Sequence, residues 1–141
     1  METIICKEYP KKVIPLIDNA KQSVRAVAFD WRWYDNDPGS SVQLFNQSIV
    51  RASKRGVQVK AISNFESVVS ALVGCGCLSR KLDTTNLVHV KLIIIDEKIV
   101  VVGSHNFSDK AFTTNHEVSV FFEDVEVAKS LTKYFDELWL L

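Results

Sequence analysis

The chain has 141 residues, 47% of them hydrophobic and 24% charged, which excludes a disordered, collagen-like or disulfide-scaffolded protein and predicts one packed domain over residues 1–141. Lys plus Arg is 17 and Asp plus Glu is 17, so no whole-molecule field draws the chain to nucleic acid or anionic lipid, and any polyanion has to be met by a local patch. The charge is uneven along the chain, with 13 basic and 8 acidic side chains in residues 1–95 against 4 and 9 in residues 96–141.

Apolar spacing from Val13 to Ala20 predicts a helix, with Pro15 its weak point. Val24–Tyr34 is β-branched and aromatic and reads as a strand. Asp35-Asn36-Asp37-Pro38-Gly39 is a dense turn, its carboxylates better suited to capping the next helix than to holding a metal. Ser40 or Ser41 then caps a helix with Val42, Phe45, Ile49 and Ala52 on one face, ended by Gly56. A strand over Val57–Ile62, a helix over Phe65–Val73 and a break at Gly74–Gly76 follow. Next come strands Val88–Ile95 and Ile99–Val102, a polar loop up to His116, a strand Glu117–Phe122 and an amphipathic helix through Leu138. Helices alternating with strands apolar on both faces predict an α/β layered domain.

Cys6, Cys75 and Cys77 are an odd number, and the first residues have no charged-then-apolar leader, so a reduced, cytoplasmic setting is the expectation. Cys75-Gly-Cys77 falls short of the ligand spacing of a structural zinc site. The longest apolar runs, Leu92–Ile95 and Ile99–Val102, are far below the roughly 18–20 residues that span a bilayer, so no transmembrane segment is expected.

Residues 89–106, H-V-K-L-I-I-I-D-E-K-I-V-V-V-G-S-H-N, are the informative segment. In an extended strand His89 and Lys91 share a face. A tight turn at Asp96-Glu97 pairs residues whose numbers sum to about 193, setting His89 opposite Ser104, or opposite His105 if the turn is one residue longer. The hairpin thus gathers His89, Lys91, Ser104 and Asn106 at one end. An imidazole, an ammonium, a hydroxyl and an amide around an anion-sized space suit a phosphoryl group neutralised without a metal or other cofactor. Asp96, about 23 Å along the strand from His89 at the usual rise, reads as a turn or structural residue.

The spacing His89-x-Lys91, four residues, Asp96, six residues, Gly103-Ser104-x-Asn106 resembles the signature of the phospholipase D superfamily, and six fixed identities arise by chance in roughly one chain in a million. The resemblance extends over about residues 24–123, through Phe29–Tyr34, Arg51–Gly56, Val57–Ile62 and Asn115-x-Glu117. It implies a mixed β-sheet flanked by helices on both faces. A single copy of the motif is similar to the small bacterial endonuclease and Zucchini-like branches, which are homodimers.

The resemblance further implies that His89 of one protomer attacks phosphorus to give a phosphohistidine while His89 of the other serves as acid and then base. Lys91 and Asn106 would hold the non-bridging oxygens, with Ser104 nearby, and Glu117 would accept a hydrogen bond from the catalytic imidazole. Asp96 and Gly103 would be structural members of the motif. His105 and His116 have no such role. Arg51, Lys54, Arg55, Lys60, Arg80 and Lys81 are the candidates for a nucleic-acid-binding patch, or else a solvated helix end. Trp31 and Trp33 alternate with Phe29 and read as core, with base stacking open to one of them. The expected activity is metal-independent cleavage of DNA or RNA. Hydrolysis of phospholipid or cardiolipin, which would call for an apolar lip, and a catalytically silent nucleic-acid-binding dimer stay open beside it.

Overall fold

The computed structural model describes residues 1–141. Seven strands form one sheet: β1 (Glu2–Ile5), β2 (Ser23–Ala28), β3 (Gln58–Ser63), β4 (Leu78–Arg80), β5 (Leu92–Ile95), β6 (Ile99–Gly103) and β7 (Val118–Glu123), in the spatial order β1-β7-β6-β5-β2-β3-β4. β2, β3 and β4 run parallel and every other neighbouring pair is antiparallel, so the sheet is mixed. The helices are α1 (Tyr9–Asp18), α2 (Ser41–Lys54), α3 (Glu66–Gly74), α4 (Asp109–Thr113) and α5 (Val125–Trp139).

The period-two alternation of the strands divides the core between two faces. Val24, Ala26, Ala28, Ile93 and Val101 join Val13 and Ile17 of α1, Phe45 and Ile49 of α2, Leu72 of α3 and Phe112 of α4 in the larger cluster. Val27, Ile62, Ile94 and Val100 face the other way, onto Ala128 and Phe135 of α5. The expected α/β architecture with helices on both faces is therefore the observed one, with four helices on one side and one on the other.

Local chemistry sets the element ends. Ser40 Oγ accepts the Gln43 N–H, and Gly56 at φ +93° terminates the turn beyond α2. Asp124 caps α5 by accepting from the N–H groups of Glu126 and Val127. Pro15 lies inside α1 without ending it, because the helix needs to present only Tyr9, Val13 and Ile17 to the core.

Several expected boundaries move. The strand predicted over Val24–Tyr34 stops at Ala28, after which Trp31 makes only a single bridge to Phe107. The strand predicted from Val88 begins at Leu92. β1 and β4, only four and three residues long, and the five-residue α4 inside the predicted polar loop went unanticipated. The helix expected at Val13–Ala20 starts at Tyr9 and ends at Asp18. Asp35 and Asp37 do not cap α2; Asp35 accepts a 2.8 Å hydrogen bond from Trp33 Nε1 instead.

Candidate active site

β5 and β6 pair Leu92 with Val102 and Ile95 with Ile99. These numbers sum to 194, so the hairpin takes the longer turn, with Asp96 and Glu97 both at φ +54°. His89 and Lys91 precede β5, Ser104 and Asn106 follow β6, and Glu117 precedes β7. All five lie beyond the same end of the sheet, where the strand ladders stop and side chains are released from strand packing.

Lys91 Nζ sits at the edge of the His89 ring, 3.0 Å from Nδ1 and 3.3 Å from Nε2. The ammonium can only donate, and which ring nitrogen it engages depends on the tautomer of the imidazole. The other support of the imidazole is Phe29, whose ring centre is 4.9 Å from that of His89. Desolvation pulls Lys91 below the ordinary lysine range, opposed by the nearby Glu117 carboxylate. Asn106 Oδ1 accepts the Asp30 backbone N–H at 3.0 Å. That bond fixes the amide and leaves its NH₂ without a partner in the chain, free to donate to an anion.

Glu117 does not hydrogen-bond His89 within the chain, although the family resemblance implies such a bond. Its Oε1 accepts from the Ser104 hydroxyl and its Oε2 accepts from Asn115 Nδ2 at 3.1 Å. The Ser104 Oγ also accepts the Val118 N–H at 3.0 Å, so this hydroxyl is committed to positioning Glu117 at the mouth of β7. Asn115 enters the site through that carboxylate, a role that its place in Asn115-x-Glu117 did not reveal.

The other motif residues act on the frame. Asp96 crosses to the loop before β2, where its carboxylate accepts from the N–H groups of Lys21 at 3.0 Å, Gln22 at 2.6 Å and Ser23 at 3.0 Å. Burial pushes its carboxyl up, and the hydrogen bonds from Gln22, Lys21 and Ser23 outweigh that and hold it below the usual aspartate range. A depressed folded value stabilises the fold above the unfolded value, near ~3.9, and that contribution fades as pH falls through the folded value. Asp96→Asn is expected to cost about 1–2 kcal/mol at pH 7, allowing for partial exposure of the group. In urea titrations the gap from the parent should narrow below about pH 4; a gap that is constant with pH would refute this assignment. Gly103 pairs with Ser119 across β6 and β7 so closely that a Cβ would lie 2.3 Å from Ser119 Cα. No other residue fits there without moving the strand.

His105 is buried. Its Nε2 donates to the Cys6 carbonyl at 2.8 Å, leaving Nδ1 to accept from the Ser119 hydroxyl at 2.7 Å. Burial lowers its pKa, opposed by the Cys6 carbonyl and Glu117. It braces the turn after β1 against β7. His116 is exposed in the segment before β7.

The six basic residues singled out from sequence are not gathered into one patch. Arg51, Lys54 and Arg55 lie at the C-terminal end of α2, and the structure ties two of them to α1 and the residues after it. Arg51 is paired with Asp18 at 3.1 Å, and Arg55 donates to the carbonyls of Ile17 and Ala20. This is the Asp96 end of the sheet, opposite the end that carries His89, Lys91 and Asn106. Lys60 and Arg80 instead flank the Trp139 ring of α5, at 5.6 and 5.7 Å from its centre, while Lys81 is exposed beyond β4. Sequence spacing does not reveal this, because three of the six lie at the end of a helix on one face while Lys60 and Arg80 are strand residues turned to the other. Trp31 is fully buried and donates to Asn46 Oδ1 at 2.8 Å; Trp33 is half-buried. Cys77 is buried, and no three of the His, Cys, Asp and Glu side chains are grouped to hold a metal.

Beside Asn106 lies a cleft of about 370 Å³ lined by Asp30, Arg32, Tyr34, Asn106, Ser108, Asp109, Lys110 and Asn115. It was not foreseen, since its walls come from the segment after β2 and from the unanticipated α4. Arg32 and Lys110 are the cations that line this cleft.

Residues 13–139 match the sequence profile of the family described as "Cardiolipin synthase, PLD-like domain". The chain belongs to the phospholipase D superfamily. A probable phospholipase D of Caenorhabditis elegans is 32% identical over 91% of this chain, which spans 26% of that relative's length. Among solved structures, the phospholipase D family member Nuc from Salmonella typhimurium superposes with a TM-score of 0.76 at 27% identity, over 90% of this chain and 84% of Nuc. NucT from Helicobacter pylori superposes at 0.77 with 21% identity, over 97% of this chain and 93% of NucT, a likeness of fold. No helix of this phospholipase D-like chain is long and apolar enough to cross a membrane.

Proposed function

We propose that the chain is a phosphodiester hydrolase, a nuclease that cleaves DNA or RNA without a metal ion, as one domain over residues 1–141 paired with a second copy of itself. The observation that carries this reading is the Lys91 ammonium held 3.0 Å from an exposed His89 imidazole, next to an amide whose donors face no partner in the chain. Nucleophile and fixed cation are thus in place for one phosphoryl group.

In the first step a His89 nitrogen lone pair attacks phosphorus. The P–N bond forms as the bond to the leaving oxygen breaks, and that oxygen takes a proton from the imidazolium of His89 of the partner subunit. The same imidazole then takes a proton from water, whose oxygen attacks phosphorus and breaks the P–N bond, restoring both histidines. Lys91 and the Asn106 NH₂ neutralise the non-bridging oxygens, on which charge builds in each transition state. Glu117, held by Ser104 and Asn115, supplies a negative charge that offsets part of the desolvation of the Lys91 ammonium.

Resistance to chelators is the expected result that tests this reading, because an ammonium and an amide take the place of a Lewis acid. Single- and double-stranded DNA and RNA are incubated with the protein in excess EDTA, with phospholipid vesicles as a parallel substrate. Cleavage of a polynucleotide at the rate seen without chelator is expected. Loss of cleavage in EDTA, restored by a divalent ion, refutes the metal-independent mechanism; hydrolysis of lipid with no polynucleotide cleaved refutes the nuclease assignment.

A further inference from the structure

Resting on the nuclease reading above, we infer that the cleft beside Asn106 is a nucleoside subsite, which binds the base next to the scissile phosphate on Tyr34 and the following phosphate on Lys110 and Arg32. The cleft is continuous with the motif, since Asn106 lines it and Asn115, on its rim, donates to Glu117. Its volume of about 370 Å³ suits a nucleoside-sized group.

The lining decides the chemical class of the occupant. Of the eight residues only Tyr34 is hydrophobic, and that residue is 40% exposed. An acyl chain placed there would meet carboxylates, amides and cations, with Tyr34 its one apolar contact. A base gains a face to stack on and hydrogen-bonding groups at its edge, and stacking on an aromatic ring tolerates any base. Lys110 is exposed and its ammonium has no hydrogen-bond or ion-pair partner. Arg32 is anchored through Nε, 2.8 Å from Asp30 Oδ1, and its guanidinium lies over the Phe65 ring at 4.9 Å, leaving its terminal nitrogens to reach an oxyanion. Asp109 Oδ1 accepts the Val42 N–H at the start of α2, and the two carboxylates of the cleft, Asp30 and Asp109, are matched by two cations, Arg32 and Lys110.

The walls are fixed before any ligand arrives, which lowers the entropy cost of binding. Asn46 donates to the Arg32 carbonyl at 2.9 Å, Gln43 Oε1 accepts the Tyr34 N–H at 2.8 Å, and the Arg32 N–H donates to the Phe107 carbonyl at 2.9 Å. Two side chains of α2 and the Phe107 carbonyl therefore hold the segment that carries Arg32 and Tyr34.

The test compares two substrates with the same reacting group. A single-stranded oligonucleotide fills the cleft, whereas bis(4-nitrophenyl) phosphate presents a diester with no base and no second phosphate. Tyr34→Ala and Lys110→Ala should each raise KM for the oligonucleotide about tenfold with kcat within a factor of two, Tyr34→Phe should restore the parent value, and neither should change kcat/KM for the small diester by more than twofold. Affinity for a fluorescent DNA hexamer, measured in the His89→Ala background, should fall by the same factor and so reports without turnover. Equal losses on both substrates, or an unchanged KM and hexamer affinity, overturn the subsite while the nuclease reading stands. A parent protein that hydrolyses the small diester yet neither binds the hexamer nor cuts the oligonucleotide overturns both.

Discussion

His89→Ala is expected to abolish phosphodiester cleavage, with a loss on the order of 10⁴-fold or more, because the variant has neither a nucleophile nor a leaving-group acid. Lys91→Ala should cost about 10²–10³-fold, the usual consequence of removing one fixed charge from a developing oxyanion. Neither change should unfold the protein. His89 is exposed and precedes the β5 ladder, and the only hydrogen-bond contact of its ring is with Lys91. Thermal unfolding by circular dichroism should therefore leave the midpoint within a few degrees of the parent while the cleavage assay falls to background. A His89→Ala variant that retains a tenth of the parent rate would remove His89 as nucleophile.

The second large effect concerns the number of chains per site. In-line displacement needs the attacking nitrogen and the leaving-group acid on opposite sides of phosphorus, and this chain presents His89 from one side only, with Lys91 and Phe29 occupying its flanks. In the proposed dimer a two-fold axis would supply the second imidazole, since the contact that brings one motif to the axis brings its copy to face it. When parent chains at fraction f are co-refolded at random with His89→Ala chains, activity should fall as f squared. At equal amounts that means a quarter of the parent activity per total chain, against a half for independent sites. A linear dependence, or a fully active monomer by analytical ultracentrifugation, would end the shared-site account.

The parts of this fold legible in the sequence were those with a strong local period or a fixed spacing. Ile93 and Ile94, both buried, sit in an apolar run that reads as a strand covered on two faces, and the α2 face of Val42, Phe45, Ile49 and Ala52 follows the helical repeat into the core. The family fold followed from the motif. Elements held by distant partners were not legible. β1 is four residues that become a strand only by pairing with β7, more than a hundred residues later. α4 is a single turn set by Ser108 and by packing of Phe112 beside Tyr9, with ring centres 4.9 Å apart.

The site divides in the same way. The proximity of His89 and Lys91 is a two-residue matter and is read directly, while the partners of Glu117 depend on how β6 and β7 meet, which spacing does not encode. The basic residues show the limit most clearly, because counting cations along a chain ignores which face of the sheet each one joins. Arg51 and Lys60 are nine positions apart in sequence, yet one pairs with Asp18 and the other lies over Trp139 on the opposite face of the sheet.

His89, Lys91 and Asn106 lie outside the strand ladders, whereas Asp96 and Gly103 bind the ladders together. Chemistry and framework are thus written in different residues of one motif, and selection can act on them separately. A lineage that lost His89 would keep its sheet and its cleft, and would remain folded at almost no cost in stability. A lineage that lost Gly103 would first have to re-pack two strands. Descendants of this architecture should therefore lose the chemistry far more readily than the fold, and Asp96 and Gly103 should outlast the histidine.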